Sequence, residues 1–174
     1  MFTFGREHEK NCAANYIHDA ADLPMIRQVI DAVHDLLEGS RTASEVRPII
    51  SESFTKGGSG VWEQTGNWLA KLGSTRPDLA SLWAEFATHQ SAQIRFRAAA
   101  FIGEMPDAVF QEVLPKLLAD VSRKVRSKVT GDLWVAPRRN AEEHLTARLA
   151  AEADAGIRDQ ISLAIEAARG LGGS

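Results

Sequence analysis

Apolar residues recur along this 174-residue chain at helical spacing, and the strict alternation of a half-buried strand is nearly absent. Near the N-terminus, Ile26, Val29, Ile30, Val33 and Leu37 are separated by steps of three and four, which puts them on one stripe of a helix. Asp22 stands where an N-cap is expected, Pro24 lies in the tolerant first turn, and Gly39 marks the stop. A shorter helix is predicted before it, over residues 7–20. Thr42 and Glu45 have the spacing of a capping box, which opens a further helix running to about Phe54. Lys56-Gly57-Gly58-Ser59-Gly60 reads as a loop between helices.

From Val61 onward the pattern acquires a register. With Val61, Ile94, Val125 and Ile157 as the origin of four segments, the fourth position beyond is Thr65, Ala98, Val129 and Ile161. The eighth is Leu69, Ile102, Leu133 and Ile165, and the eleventh is Leu72, Met105, Ala136 and Ala168. Steps of four, four and three keep these residues on one helical face, so each segment is predicted to be an amphipathic helix of about four turns. Shorter helices fall between them. Leu79, Leu82, Trp83 and Phe86 make one stripe, and Phe110, Val113, Leu114, Leu117 and Val121 another, with Pro115 inside it as a kink. A third covers residues 141–151 behind a predicted capping box of Asn140 and Glu143. Arg76-Pro77-Asp78, Met105-Pro106-Asp107 and Ala136-Pro137-Arg138 supply turns.

A shorter helix thus alternates with a longer one. One such pair cannot bury its own stripe, so successive pairs must stack, and a period of about 20–50 residues is the mark of stacked repeats. A compact helical bundle is the competing architecture, but bundles do not require such a register. The expected organisation is a single helical-repeat domain: N-terminal helices over 1–40, about four helix pairs over 41–170, and a flexible tail at 171–174.

Composition adds limits. Hydrophobic content of 44% suits a chain that buries a core. No apolar run approaches the roughly 18–20 residues needed to cross a bilayer, so no membrane association is expected. The first ten residues lack the pattern of a secretory signal, and the single cysteine, Cys12, allows no internal disulfide; both suggest a cytoplasmic protein. The net charge of −3 is unevenly spread: residues 91–139 carry +4, while residues 1–60 and 140–174 carry −3 each. A basic middle between acidic ends can steer an acidic partner.

The segments Gln93-Ile94-Arg95-Phe96-Arg97-Ala98-Ala99-Ala100, Val125-Arg126-Ser127-Lys128-Val129 and Asp154-Ala155-Gly156-Ile157-Arg158 resemble the opening of the second helix of HEAT repeats. Pro115 matches the kinking proline of a HEAT first helix. The likeness covers about residues 43–169. The Val61 segment departs from it, with Trp62 in place of the arginine, and so looks like a terminal repeat. The resemblance implies an all-α, right-handed α-solenoid of HEAT-like hairpins with an N-terminal helical pair. It also implies a non-enzymatic binding module whose second helices line a concave face. Some small bacterial HEAT-like proteins are immunity proteins for toxins, and the chain's size fits that role. Another HEAT-like branch comprises DNA alkylation repair glycosylases, which makes nucleic-acid binding the alternative.

In this repeat type the arginine at the second position ties neighbouring repeats together through an acidic residue, here Asp120 or Asp154, so Arg95, Arg126 and Arg158 are expected to be structural. Positions two, three and six beyond each origin point away from the buried stripe. On that basis the candidate partner-binding residues are Glu63, Gln64 and Asn67, then Phe96 and Arg97, then Ser127 and Lys128, then Asp159 and Gln160. The expected partner is a protein with a mixed-charge, locally acidic patch. The nucleic-acid alternative rests on Arg123-Lys124-Val125-Arg126-Ser127-Lys128 and Arg138-Arg139, but a helix spreads such a cluster around its axis. A base-excising site would draw on Asp132, expected at the edge of the buried stripe, and Trp134. The four tryptophans, Trp62, Trp68, Trp83 and Trp134, are mostly expected to pack between repeats, with Trp62, directly after the glycine loop, the one candidate for exposure. Cys12 has no identifiable histidine partner in the sequence, no histidine pair has helical metal-site spacing, and no nucleotide-binding glycine motif occurs. Neither a metal nor a cofactor is expected.

Overall fold

The computed structural model describes residues 5–170; the tail assigned to 171–174 lies outside them. Among the described residues every regular element is helical. The chain divides into two compact units, Met1–Leu82 and Trp83–Ser174.

In the first unit, α1 (Arg6–Ala13) is shorter than predicted. The helix stops at Ala13, and further along the Asp19 carboxylate accepts from the Ala21 N–H and caps a 3-10 turn at Ala20–Asp22. Helix α2 (Leu23–Glu38) has Pro24 in its first turn and stops at Gly39, whose φ of 79° is the left-handed conformation that a side chain resists. Ile26, Val29, Ile30 and Val33 are buried, whereas Leu37 is exposed and Leu36 takes the inward place. Asp22 does not cap α2; its carboxylate instead accepts from the Gly58 N–H at 3.2 Å. The capping box of Thr42 and Glu45 forms and starts α3 (Ala43–Lys56). The glycine loop then packs closely. Gly60 has φ 86°, and a Cβ there would strike the Tyr16 carbonyl. Helix α4 (Val61–Gly73) buries Val61, Thr65, Leu69 and Leu72, the predicted stripe. Its one polar member, Thr65, is satisfied by donating to Ser53 Oγ at 3.3 Å. Helix α5 (Pro77–Ala80) follows, and the Arg47 guanidinium donates to the Asp78 carbonyl and to Ser81 Oγ.

Helix α6 (Leu82–Ala87) spans the division. Leu79, Leu82, Trp83 and Phe86 are all buried as predicted, but on two short helices rather than one. In the second unit α7 (Ala92–Ala99) is half the expected length. The chain leaves the α conformation at Phe101, whose ring lies 5.3 Å from that of Trp83, and closes with a 3-10 turn at Ile102–Glu104. Ile94, Ala98, Ile102 and Met105 nonetheless stay buried, so the register survives the break. Helix α8 (Asp107–Leu118) buries Phe110, Val113, Leu114 and Leu117 and carries Pro115 within it. Val121 was expected on that stripe; it lies past the helix end and is exposed. Helix α9 (Arg123–Val135) buries Val125, Val129 and Leu133, while Ala136, one residue past its end, is exposed. The capping box at Asn140 does not form. Asn140 Nδ2 donates to Asp107 Oδ1 at 3.2 Å, and a 3-10 turn at Arg139–Ala141 leads into α10 (Glu142–Ala151). Helix α11 (Ala155–Gly170) buries Ile157, Ile161, Ala164, Ile165 and Ala168. It packs on α9 and α10, and α9 packs on α7 and α8. Each fully buried Leu, Ile or Phe contributes about 1.5–3 kcal/mol, which makes this shared stripe the main source of cohesion.

The arginines at the second register position complete the second unit's framework. Arg95 holds Asp120 through two hydrogen bonds of 2.5 and 3.0 Å, and donates to the His89 and Gln90 carbonyls. Arg126 holds Glu152 at 2.9 and 3.1 Å and donates to the Asp120 carbonyl. Arg158 donates to the Glu152 carbonyl. Each arginine therefore clamps the turn before its own helix, and Arg95 and Arg126 also clamp the carboxylate in the next turn. Asp120 and Glu152 in turn accept from the N–H two residues on, at 2.7 and 3.0 Å. Asp154, the other expected acid, pairs with Arg123 instead. Burial pushes the Glu152 carboxyl up, but hydrogen bonds from Arg126, the Asp154 N–H and Arg148 outweigh it and hold the pKa at about 2.

Candidate interaction surface

In the first unit, Glu63, Gln64 and Asn67 project from α4 away from its buried stripe. Glu63 is exposed and accepts from Ser59 Oγ at 3.1 Å; Gln64 and Asn67 are half-buried. These three form a small polar face.

The second unit brings more together. Phe96, Ser127 and Lys128 line one shallow hollow of about 310 Å³ with Asp132. Ser127 Oγ and Thr130 Oγ1 both donate to Gln160 Oε1 at 3.0 Å, joining α9 to α11 across this face. Asp159 is exposed beside Gln160. Arg97 is the exception. It was expected on the open face, but it is only 6% exposed, and α7 turns it into the packed interior. Its place within the helix explains the departure: three residues past buried Ile94 is about 60° round the axis from it, on the packed side of α7.

Electrostatics reshape the basic segment as well. Among the described residues, Arg123 pairs with Asp154, Arg126 with Glu152, Lys128 with Asp132 and Arg138 with Asp107. Lys124 is exposed and takes part in no ion pair among the described residues. Lys128 lies 2.8 Å from Asp132 Oδ1, so its charge is largely spent within the helix. Asp132 is half-buried, as its position on the stripe's edge predicts. Burial pushes its carboxyl above the usual range against the opposing pull of Lys128, and its Oδ2 meets no protein donor.

The apolar side of the surface was assigned only in part from the sequence: Leu163, six positions past Ile157, was expected on the open face and Trp134 was named only for a base-excising site. Trp134, Val135 and Leu163 are 54%, 78% and 42% exposed, and all three line one cleft of about 500 Å³ with Asp132 and Gln160. Trp62, the candidate for exposure, is half-buried with its ring edge-on to Phe54, and Trp134 is the exposed tryptophan among the described residues. The register held the signal for Trp134. It stands nine residues past Val125, half a turn from the buried stripe. One further correction concerns Cys12: His8 Nε2 lies 3.3 Å from its Sγ, one turn back on α1. Among the described residues, no group of three or more His, Cys, Asp or Glu is placed to hold a metal ion. No helix there is long and apolar enough to cross a membrane. The chain matches no family model, no curated protein and no solved structure.

Proposed function

We propose that the chain is a non-enzymatic, HEAT-like protein-binding module, and that the second unit's hairpins stack as a short right-handed solenoid whose second helices carry the binding face. The observation that carries this reading is the gathering of side chains of the anchoring type on α7, α9 and α11. Exposed Trp134, Val135 and Leu163, with half-buried Phe96 on α7, stand there around a largely neutralised charge pattern. Exposed aromatic and aliphatic clusters of this kind are characteristic of protein interfaces. The neutralisation of Arg123, Arg126 and Lys128 also favours a protein partner over nucleic acid, since phosphate binding needs several free cations on one face. Within this reading the partner presents a mixed-charge surface whose acidic part meets Lys124. An inhibitor or immunity protein for a bacterial toxin, acting in the cytoplasm, is the specific form.

The test uses the product of the neighbouring gene and a short DNA duplex, each titrated against the full chain by calorimetry. The gene product is expected to bind, and the paired variant Phe96→Ala, Lys124→Glu to weaken it at least tenfold with helical circular dichroism unchanged. Unaltered affinity of that variant refutes the assigned face. Tight duplex binding that collapses with added salt overturns the protein-binding reading in favour of nucleic acid.

A further inference from the structure

Helices α9 and α11 lie side by side and run in the same direction. Arg123 pairs with Asp154, Ser127 bonds Gln160, and Trp134 shares a cleft with Leu163, so position rises along both helices together. Six residues past their register origins the two helices differ. On α9 that place is Gly131, and a Cβ there would meet nothing within 4 Å. Glycine inside a helix weakens it, and no packing among the described residues calls for one here. Its bare backbone lines both the hollow of about 310 Å³ that holds Lys124 and Ser127 and the cleft of about 500 Å³ that holds Trp134. On α11 the same place is Leu163, which is 42% exposed. A gap and an apolar knob thus stand at one height on neighbouring helices.

We propose that this face pairs with a second copy of the chain, about a two-fold axis running along the furrow between α9 and α11. Such an axis exchanges the two helices, so the α9 of each copy meets the α11 of the other with no change of height or direction. Leu163 of each copy then seats over Gly131 of the other, beside Trp134. The charges match as well. Lys124 and Asp159 are both exposed, and neither takes part in an ion pair among the described residues. Lys124 stands seven residues before Gly131, and Asp159 four before Leu163. The difference of three residues is about 4.5 Å along the axis, within the reach of a lysine side chain. Symmetry makes two such ion pairs, flanking two covered leucines. An extended segment fits this face less well, because α9 and α11 spend their backbone hydrogen bonds internally and leave it no partners, whereas a helix brings its own.

The pairing rests on the protein-binding reading of this face and names one partner for its α9–α11 half, but its test needs no other protein. The full chain is followed by sedimentation velocity from about 1 to 300 μM. A monomer–dimer equilibrium with a micromolar dissociation constant is expected. Lys124→Glu and Asp159→Lys are each expected to weaken it about tenfold, and the two combined to restore it to within about threefold of wild type. Gly131→Leu fills the gap without crowding the fold, so the helical circular dichroism is expected to persist while dimerisation weakens about tenfold or more. A monomer throughout overturns the proposal, as does a dimer indifferent to Gly131→Leu or a charge exchange that fails to rescue. A monomer that still binds the neighbouring gene product refutes the pairing and leaves the protein-binding reading intact. A dimer that obeys all the variants while the gene product fails to bind refutes that partner and keeps the pairing.

Discussion

Replacing Glu152 by glutamine tests the arginine ladder at its most loaded point. The side chain of Glu152 is 1% exposed and serves three groups: Arg126 at 2.9 and 3.1 Å, Arg148 at 2.7 Å, and the Asp154 N–H at 3.0 Å. Glutamine keeps the shape and one acceptor oxygen, so packing and the turn at Asp154 are preserved while the charge is lost. The two guanidiniums then lack their counter-ion. Removing one member of a fully buried pair costs about 3–5 kcal/mol; both arginines retain some access to water, which lowers the expectation to about 2–3 kcal/mol. The depressed pKa, which arises from the same contacts, gives a figure of the same order. A fall from 4.5 to about 2 is worth about 3 kcal/mol between the two protonation states, and solvent screening around the arginines trims it in the same direction. The sign is fixed by linkage: this stabilisation is fully present above pH 4.5 and fades as pH falls toward 2. Hydrogen exchange of the amides in α9 and α11, compared between wild type and Glu152→Gln across that range, reads the effect within the second unit. The difference is expected to be constant at neutral pH and to close on acidification. A loss under about 0.5 kcal/mol at pH 7, or a difference that does not shrink in acid, refutes the role assigned to the carboxylate.

Two further substitutions probe the first unit. Gly60→Ala forces a side chain into a left-handed conformation and against the Tyr16 carbonyl, so a loss above about 1 kcal/mol in denaturant midpoint is expected, and a neutral result removes the claim that this loop is packed. Thr42→Ala deletes the capping box of α3 and is expected to cost about 1 kcal/mol by the same measurement, with faster amide exchange confined to the first turn of α3.

The expectations that held share one cause. Where a position is decided by local chemistry, the sequence carried it: Gly39 as a left-handed stop, Thr42 with Glu45 as a cap, and the positions on the buried stripes from Val61 to Ile165 other than Val121 and Ala136. Where two segments compete for the same group, it did not. Asn140 and Asp22 have the right type and place to cap helices, but Asp107 and Gly58 take them first. The length of α7 was missed for a similar reason, because periodicity continues through Ile102 and Met105 although the backbone changes conformation at Phe101. Arg97 was misplaced for a different reason: within α7 it lies about 60° round the axis from Ile94, on the packed side. The exposed cluster of Trp134, Val135 and Leu163 was legible only in part: the register put Trp134 and Leu163 off the stripe, but not that they share a cleft.

By itself, the order of residues determined that the chain is helical, which face of each helix is buried, and that Arg95, Arg126 and Arg158 occupy equivalent places. These follow from a 3.6-residue turn and from side-chain chemistry acting within a few positions. Tertiary structure alone decided which carboxylate each arginine meets, which cations keep a free charge, and which off-stripe side chains gather into one surface. Those outcomes depend on groups 25 to 33 residues apart, whose proximity is set by how the helices pack and by no local preference.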